Sequence, residues 1–239
     1  MTRATDSAAE LREELGRRFV LLEEVITVSD RELTIVRPRS AEDLIYEEDF
    51  ADDERLPYWA DLWPSSLILA EHVLANAASG PAVELGCGVG LVTCAALIAG
   101  YDVEATDYYA DALAFTRLNS LMNLGREPAV RHLDWRQLPD DLQPVPLVLA
   151  SDVLYERPYA AAVAEALRRL LSDDGLAIVA DPGRMASAEF LAECESRGLD
   201  LRHSERRDYR AGEIRQTITL YSLSPSASSS RDFTSSPQR

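Results

Sequence analysis

The stretch Val83-Glu84-Leu85-Gly86-Cys87-Gly88-Val89-Gly90 ends a short apolar run with three alternate glycines and leads straight into the helix-periodic residues 91–99. A strand must hand over to a helix within this turn, and glycine lets a ligand reach backbone that a side chain would screen. A chain organised around such a unit is committed to layers of helix on sheet. Further apolar runs at 82–85, 103–106, 129–133, 147–150 and 176–180 are continuous rather than alternating, the pattern of strands covered on both faces. Helical spacing begins at Pro64, with Leu67, Ala70, Val73, Leu74 and Ala77 on one face, and recurs over 91–99, 111–123, 160–171 and 189–197. Segments 199–203 and 214–221 follow one another as strands without a helix and should pair antiparallel. The expected fold is α/β, a doubly wound, mostly parallel sheet with a reversed last strand, preceded by a β-hairpin over 19–28 and 32–36 around Ser29-Asp30.

The 239 residues suit one domain with appendages. The expected division is an N-terminal extension over 1–56 with the hairpin, the main domain over 57–221, and a tail over 222–239. Eight serines among the eighteen tail residues predict disorder. Ser40 and Asp43 suggest a capping box opening a short helix, and six acidic residues among the eight at 47–54 suggest a solvated loop. No apolar run approaches membrane-spanning length, and residues 1–14 lack the basic, apolar and small-residue sections of a secretory leader, so a cytoplasmic protein without a membrane partner is expected.

The charge balance, 24 basic against 41 acidic residues for a net −17, disfavours nucleic acid as partner, and every basic residue is arginine. Cys87, Cys94 and Cys194 are too few and scattered for a disulfide framework. With only His72, His132 and His203 beside them, no metal-ligand spacing emerges, and no metal is expected.

The glycine turn is a poor match to a dinucleotide fingerprint, because Leu91 stands where the third glycine belongs. Asp107 ends the second parallel run 21 residues after Gly86, where a carboxylate can accept hydrogen bonds from ribose hydroxyls. Glu84 lies just before the glycines and would oppose a phosphate. An adenosyl cofactor with a positive head fits both acids better than a pyrophosphate does.

With Pro57-Tyr58-Trp59-Ala60, Leu62-Trp63-Pro64, Ala105-Thr106-Asp107, Leu133-Asp134-Trp135, Ser151-Asp152-Val153-Leu154-Tyr155 and Asp181-Pro182-Gly183-Arg184 added to the glycine turn, the chain resembles class I S-adenosylmethionine-dependent methyltransferases. Within them it is similar to the protein lysine methyltransferase-like family that includes the electron-transfer flavoprotein beta-subunit lysine methyltransferases. The resemblance implies a Rossmann-like methyltransferase fold and S-adenosyl-L-methionine as cofactor. It implies that Glu84, Gly86, Gly88 and Asp107 hold the methionyl and ribose parts, that Trp135 flanks the adenine and that Trp63 helps close the pocket. Cys87, Gly90, Asp134 and Ser151, in the same motifs, complete the candidate cofactor site. Asp152 and Tyr155 would face the acceptor as the catalytic pair, the carboxylate orienting an amine and the ring receiving its methylene stem.

A protein presenting a lysine is the expected substrate. A small amine or heteroaromatic nitrogen is the alternative acceptor, and a cofactor-binding interaction protein without turnover is the alternative class. Residues 181–184, after the fifth strand, are a candidate lining of the acceptor mouth. Plainer roles stand beside these: Asp152 as a loop-stabilising carboxylate, Trp59 and Trp63 as one buried helical face, Trp135 as core, Cys87 as a small filler, and residues 181–184 as a turn.

Overall fold

The computed structural model describes residues 2–40 and 57–226. The helix expected after Ser40, the acidic run 47–54 and the tail beyond Ser226 lie outside the described residues. Two layers of helix sandwich a seven-stranded sheet formed by β3 (Gly80–Leu85), β4 (Tyr101–Asp107), β5 (Ala129–His132), β6 (Val145–Ser151), β7 (Leu171–Asp181), β8 (Leu199–Ala211) and β9 (Ile214–Pro225). A separate hairpin pairs β1 (Leu21–Val28) with β2 (Arg31–Pro38). The sheet order is β5-β4-β3-β6-β7-β9-β8, parallel except that β9 runs against both β7 and β8. The last strand in sequence is thus the reversed one, and it is inserted inside the sheet, leaving β8 at the edge.

The continuous apolar runs split by alternation between two cores. In β6, Leu147 and Leu149 face the core that also holds α2 (Pro64–Ala75), α3 (Leu91–Ala99) and α4 (Ala110–Leu124), whereas Val148 and Ala150 face α5 (Arg157–Leu170) and α6 (Ser187–Ser196). Burying both faces in this way is what a parallel strand requires, and it explains why no polar alternation marks these segments. From β3 the chain winds outward through β4 to β5, then returns to β6 on the other side of β3. The carboxyl ends of β3 and β6 therefore flank the point where the winding reverses, which is where a crevice opens in such sheets.

Three expectations change. The N-terminal residues, given no helix by the sequence reading, form α1 (Thr2–Arg18), whose Leu15 is buried in the first core. The expected hairpin itself is present and docks on α4: Asn119 and Asn123, one turn apart on that helix, accept backbone N–H bonds from Val36 and Thr34 and donate back to the carbonyls of the same residues, all at 2.8–2.9 Å. Asn119 also donates to Val89 O at 2.8 Å, tying the hairpin to the glycine turn. The edge amides of β2 are thereby satisfied without another strand. Finally, residues 222–225 continue β9, because Leu223 is buried opposite Ala177 and Pro225 pairs with Leu199. β8 likewise runs on from His203 to Ala211, closed onto β9 by a turn at Gly212, whose φ is +56°.

Candidate active site

A cleft of about 850 Å3, including its solvent-open part, lies over the carboxyl ends of β3, β4 and β6. Its wall brings together Trp63, Glu84, Gly86, Cys87, Gly88, Asp107, Asp134, Trp135, Ser151, Asp152 and Tyr155, all of them candidates from the sequence. Gly90 alone among the candidates does not line it. A Cβ there would meet Thr116 at 2.8–2.9 Å, so this glycine, with φ +85°, serves close packing of α3 on α4. Gly86, with φ +68°, faces the cleft, where a Cβ would crowd Trp135 and Val153 at 3.2 Å.

The glycine turn is held from below by Asp107. Its Oδ2 accepts the Gly88 N–H and its Oδ1 the Tyr109 N–H, both at 3.0 Å, and the Tyr108 amide also bonds the carboxylate. A carboxylate has about four lone-pair sites, so one is left for a hydroxyl. Glu84 accepts a short hydrogen bond from the Thr93 hydroxyl on α3. Both acids are almost fully buried, at 1% exposure for Glu84 and 5% for Asp107, and among the described residues neither makes an ion pair. Burial lifts the Glu84 carboxyl to about 8 against the pull of Thr93, with Asp107 adding repulsion. Burial likewise lifts Asp107 to about 6, opposed by the amides of Tyr109 and Gly88. Buried carboxylates without a cation are costly, and a ligand carrying positive charge and hydroxyls is the chemistry that relieves them. Trp135 adds a buried indole N–H with no hydrogen-bond partner among the described residues, beside the gap kept by Gly86. These residues fit an adenosyl cofactor with a cationic head.

At the β6 end the surroundings differ. Asp152 turns out of the strand with φ +55°, a conformation aspartate tolerates better than most residues, while its N–H bonds Ala180 O at 2.9 Å. Its carboxylate, 8% exposed for the residue, accepts Nε and Nη2 of Arg184 on Oδ1 at 2.9 and 2.7 Å, and the Ser65 hydroxyl on Oδ2 at 3.3 Å. Burial raises the Asp152 carboxyl, and Arg184 pulls it back. Tyr155 packs against Tyr58 and Tyr159 with ring centroids 5.0 and 4.9 Å apart, and Trp135 stands edge-on to Tyr159 at 5.7 Å. Burial drives the Tyr155 phenol well above its ordinary range, so it stays protonated at neutral pH.

The two entry tryptophans do not share a helical face. Trp59 lies in a 3-10 turn (Tyr58–Ala60), packed among Phe19, Tyr109 and Phe115, with its carbonyl against Gly88. Trp63 precedes α2 and donates its indole N–H to Tyr58 O at 2.8 Å. Asp134 is engaged by Arg136 at 2.7 Å. Sequence reasoning gave no site role to Tyr58, Tyr159, Ser65 or Thr93, and left Arg184 between the acceptor mouth and a plain turn. The four-residue spacing of Tyr155 and Tyr159 was the one available signal for an aromatic pair, while Arg184 stands 32 positions from its partner.

A family model described as lysine methyltransferase matches residues 42–197. The chain is 28% identical over 163 residues to the protein-lysine N-methyltransferase rrg1 of Schizosaccharomyces pombe, covering 60% of this chain and 52% of that protein. It is 30% identical over 115 residues to the protein-lysine methyltransferase METTL21E of Mus musculus, covering 43% and 47%. The chain spans about half the length of the curated relatives it matches. Among solved structures it shares its fold with the ribosomal protein L11 methylase of Lactobacillus delbrueckii subsp. bulgaricus, at TM-score 0.51 and 18% identity over 66% of this chain and 77% of the other. The glycopeptide N-methyltransferase MtfA, solved with S-adenosyl-L-methionine, matches at TM-score 0.52 and 13% identity over 65% and 86%.

Proposed function

This chain belongs to the lysine methyltransferase family, and from that premise we propose that it transfers a methyl group from S-adenosyl-L-methionine to the side-chain nitrogen of a lysine in a protein substrate. The observation that carries the reading is a single cleft whose two ends treat buried acids differently, Glu84 and Asp107 without an ion pair among the described residues and Asp152 with one. In our reading Asp107 binds the ribose hydroxyls and Glu84 the positive methionyl end, while Gly86, Gly88 and Cys87 form the floor. Trp135, Asp134 and Ser151 line the nucleoside side, and Trp63 closes the mouth.

When bound, the cofactor would supply a methyl carbon made electrophilic by the sulfonium, open to an amine lone pair with the C–S electrons going to sulfur. The protein's task is then alignment and exclusion of water. Tyr58, Tyr155 and Tyr159 offer an aromatic wall for a lysine stem, and aromatic faces also favour a cationic methyl donor. A lysine with a pKa near 10.4 is neutral in only about 0.04% of molecules at pH 7, so its proton passes to bulk water before the amine is seated for transfer. Tyr155, held as a phenol, is no base for that proton; Asp152 is placed to accept an N–H from the neutral amine through Oδ2. The net charge of −17 supports a protein rather than a nucleic-acid partner. We propose a cytoplasmic setting, which the three free, buried cysteines support. Among the described residues no helix is long and apolar enough to cross a membrane.

The test is incubation of the purified protein with methyl-labelled cofactor and a lysate of the source organism lacking its gene. Label in protein bands, located on lysine by mass spectrometry, is the expected result. Label confined to the small-molecule fraction would overturn the protein substrate.

A further inference from the structure

We propose, on the protein-lysine reading above, that Arg184 is a positioning residue for methyl transfer: it fixes the Asp152 carboxylate and cancels its charge, so that the site takes up a neutral amine rather than an ammonium. An unpaired carboxylate at the mouth of a desolvated cleft would stabilise the protonated lysine, which has no lone pair to donate. The guanidinium removes that bias. Its Nη2 and Nε both donate to Oδ1, at 2.7 and 2.9 Å, and among the described residues Oδ2 receives only the longer bond from Ser65 at 3.3 Å. Oδ2 therefore keeps the capacity to accept an amine N–H and to orient the lone pair.

Arg184 is itself held in place. Asp181, fully buried at the end of β7, accepts the backbone N–H groups of Gly183 and Arg184 on Oδ1 at 2.8 and 2.9 Å, and the Ser187 hydroxyl at 2.6 Å. The guanidinium carbon lies 5.7 Å from the Trp63 ring centroid, a cation–aromatic contact that links the acceptor pair to the mouth of the cleft. The groups acting on Asp152 from the surrounding elements are Arg184 on the loop after β7, Asp181 at the end of β7 and the Ser65 hydroxyl on α2. Asp181 opposes ionisation of Asp152, and Arg184 is the cation that answers it. The segment 181–184, readable in the sequence as a plain turn, thus does both jobs: it turns the chain and it delivers the cation.

Two measurements test this on the full chain. The first is the 13C titration of the Asp152 carboxyl by NMR with neither cofactor nor substrate. Arg184→Gln should raise its midpoint by about one pH unit or more, and an unchanged midpoint overturns the pairing whatever the enzyme's substrate is. The second is the pH profile of methyl incorporation into the lysate fraction labelled by the wild-type protein, at saturating cofactor. The acid limb of that profile should move up by about one unit in Arg184→Gln, a fall of about tenfold at pH 7.5. Arg184→Lys, which keeps a cation, should restore most of the limb, and S-adenosylhomocysteine affinity should stay within about twofold of wild type in each variant, because no cofactor contact changes. An equal loss at every pH, with the limb unmoved, overturns the proposal by marking Arg184 as merely structural. Arg184→Met, which retains the stem over Trp63, replaces Arg184→Gln should the latter fail to fold. If the wild-type protein labels no protein at any pH, the lysine reading fails, and the NMR titration still decides the pairing.

Discussion

The two ends of the cleft bury carboxylates at similar depth and treat their charge differently. At the β3–β4 end, Glu84 and Asp107 make no ion pair among the described residues: Thr93 and the amides of Gly88, Tyr108 and Tyr109 bond them, His132 adds only a weak pull on Asp107, and burial holds both carboxyls above their ordinary range. At the β6 end, Asp152 receives a guanidinium from a loop fixed by Asp181. The first arrangement leaves an electrostatic deficit that a cationic ligand removes on arrival; the second is neutralised when the chain folds. On the proposed reading, an enzyme that binds a cationic cofactor and must avoid trapping its substrate as an ammonium benefits from having both.

The largest effects should separate the ends by what each substitution leaves intact. Asp152→Asn should reduce methyl incorporation by about 100-fold while calorimetry finds S-adenosylhomocysteine affinity within about twofold of wild type. A matching loss of affinity would erase the distinction. Asp107→Ala should do the reverse, weakening the same ligand by about 1.5–3 kcal/mol, about 13- to 160-fold, if its bonds are to a charged acceptor. Unchanged affinity in that variant would remove Asp107 from the cofactor site.

A smaller effect follows from the raised carboxyl of Glu84. With its folded value about 8 and its ordinary value 4.5, the ligand-free protein holds a proton that the unfolded chain has lost. Folding is therefore favoured by this group below its ordinary value, and the contribution is lost as pH rises through the folded value. The melting temperature without ligand should decline across that window, and Glu84→Gln should flatten the decline. Binding runs the other way: a ligand ammonium prefers the ionised acid, so S-adenosylhomocysteine should bind up to about tenfold tighter per pH unit between pH 6 and 8. Calorimetry in buffers of different ionisation heat should show proton release. No release would mean that Glu84 is already ionised and the two ends are alike.

The difference between the ends also governs what could be read from sequence. The cofactor end is local: strand, glycine turn, helix and the acid closing the next strand occupy one continuous unit, and the apolar runs around it are legible because both faces are buried. The acceptor end is assembled across the sheet. Asp152 follows β6, but its cation comes from after β7, its hydroxyl partner from α2 and the ring against Tyr155 from the 3-10 turn at Tyr58. Asp181-Pro182-Gly183-Arg184 read equally well as a turn because nothing in four residues states which strand end lies beside them. The far half of β8, Ser204-Glu205-Arg206-Arg207-Asp208-Tyr209-Arg210, was hidden for a related reason: its strand character comes from the ladder to β9 rather than from apolar alternation. α1 was missed because it offers a narrow buried stripe amid charges.

Salt should produce the smallest effect and a discriminating one. At a net charge of −17 the exposed carboxylates repel one another, and ions screen charges separated by more than a Debye length, about 10 Å at 0.1 M and about 3 Å at 1 M. Raising potassium chloride over that range should therefore stabilise the fold; a gain of about 1 kcal/mol lifts the melting temperature of a chain this size by about 2–4 °C. The Asp152–Arg184 pair lies at 2.7 Å, inside any such screening length, with the Asp152 side chain 5% and the Arg184 side chain 36% exposed, so that ions reach the guanidinium's outer side but not the carboxylate. The acid limb of the methylation profile should stay in place while the melting temperature climbs. If the limb moves with salt as it moves in Arg184→Gln, ions are replacing the guanidinium, and the acceptor end is not neutralised in advance but answers to solvent.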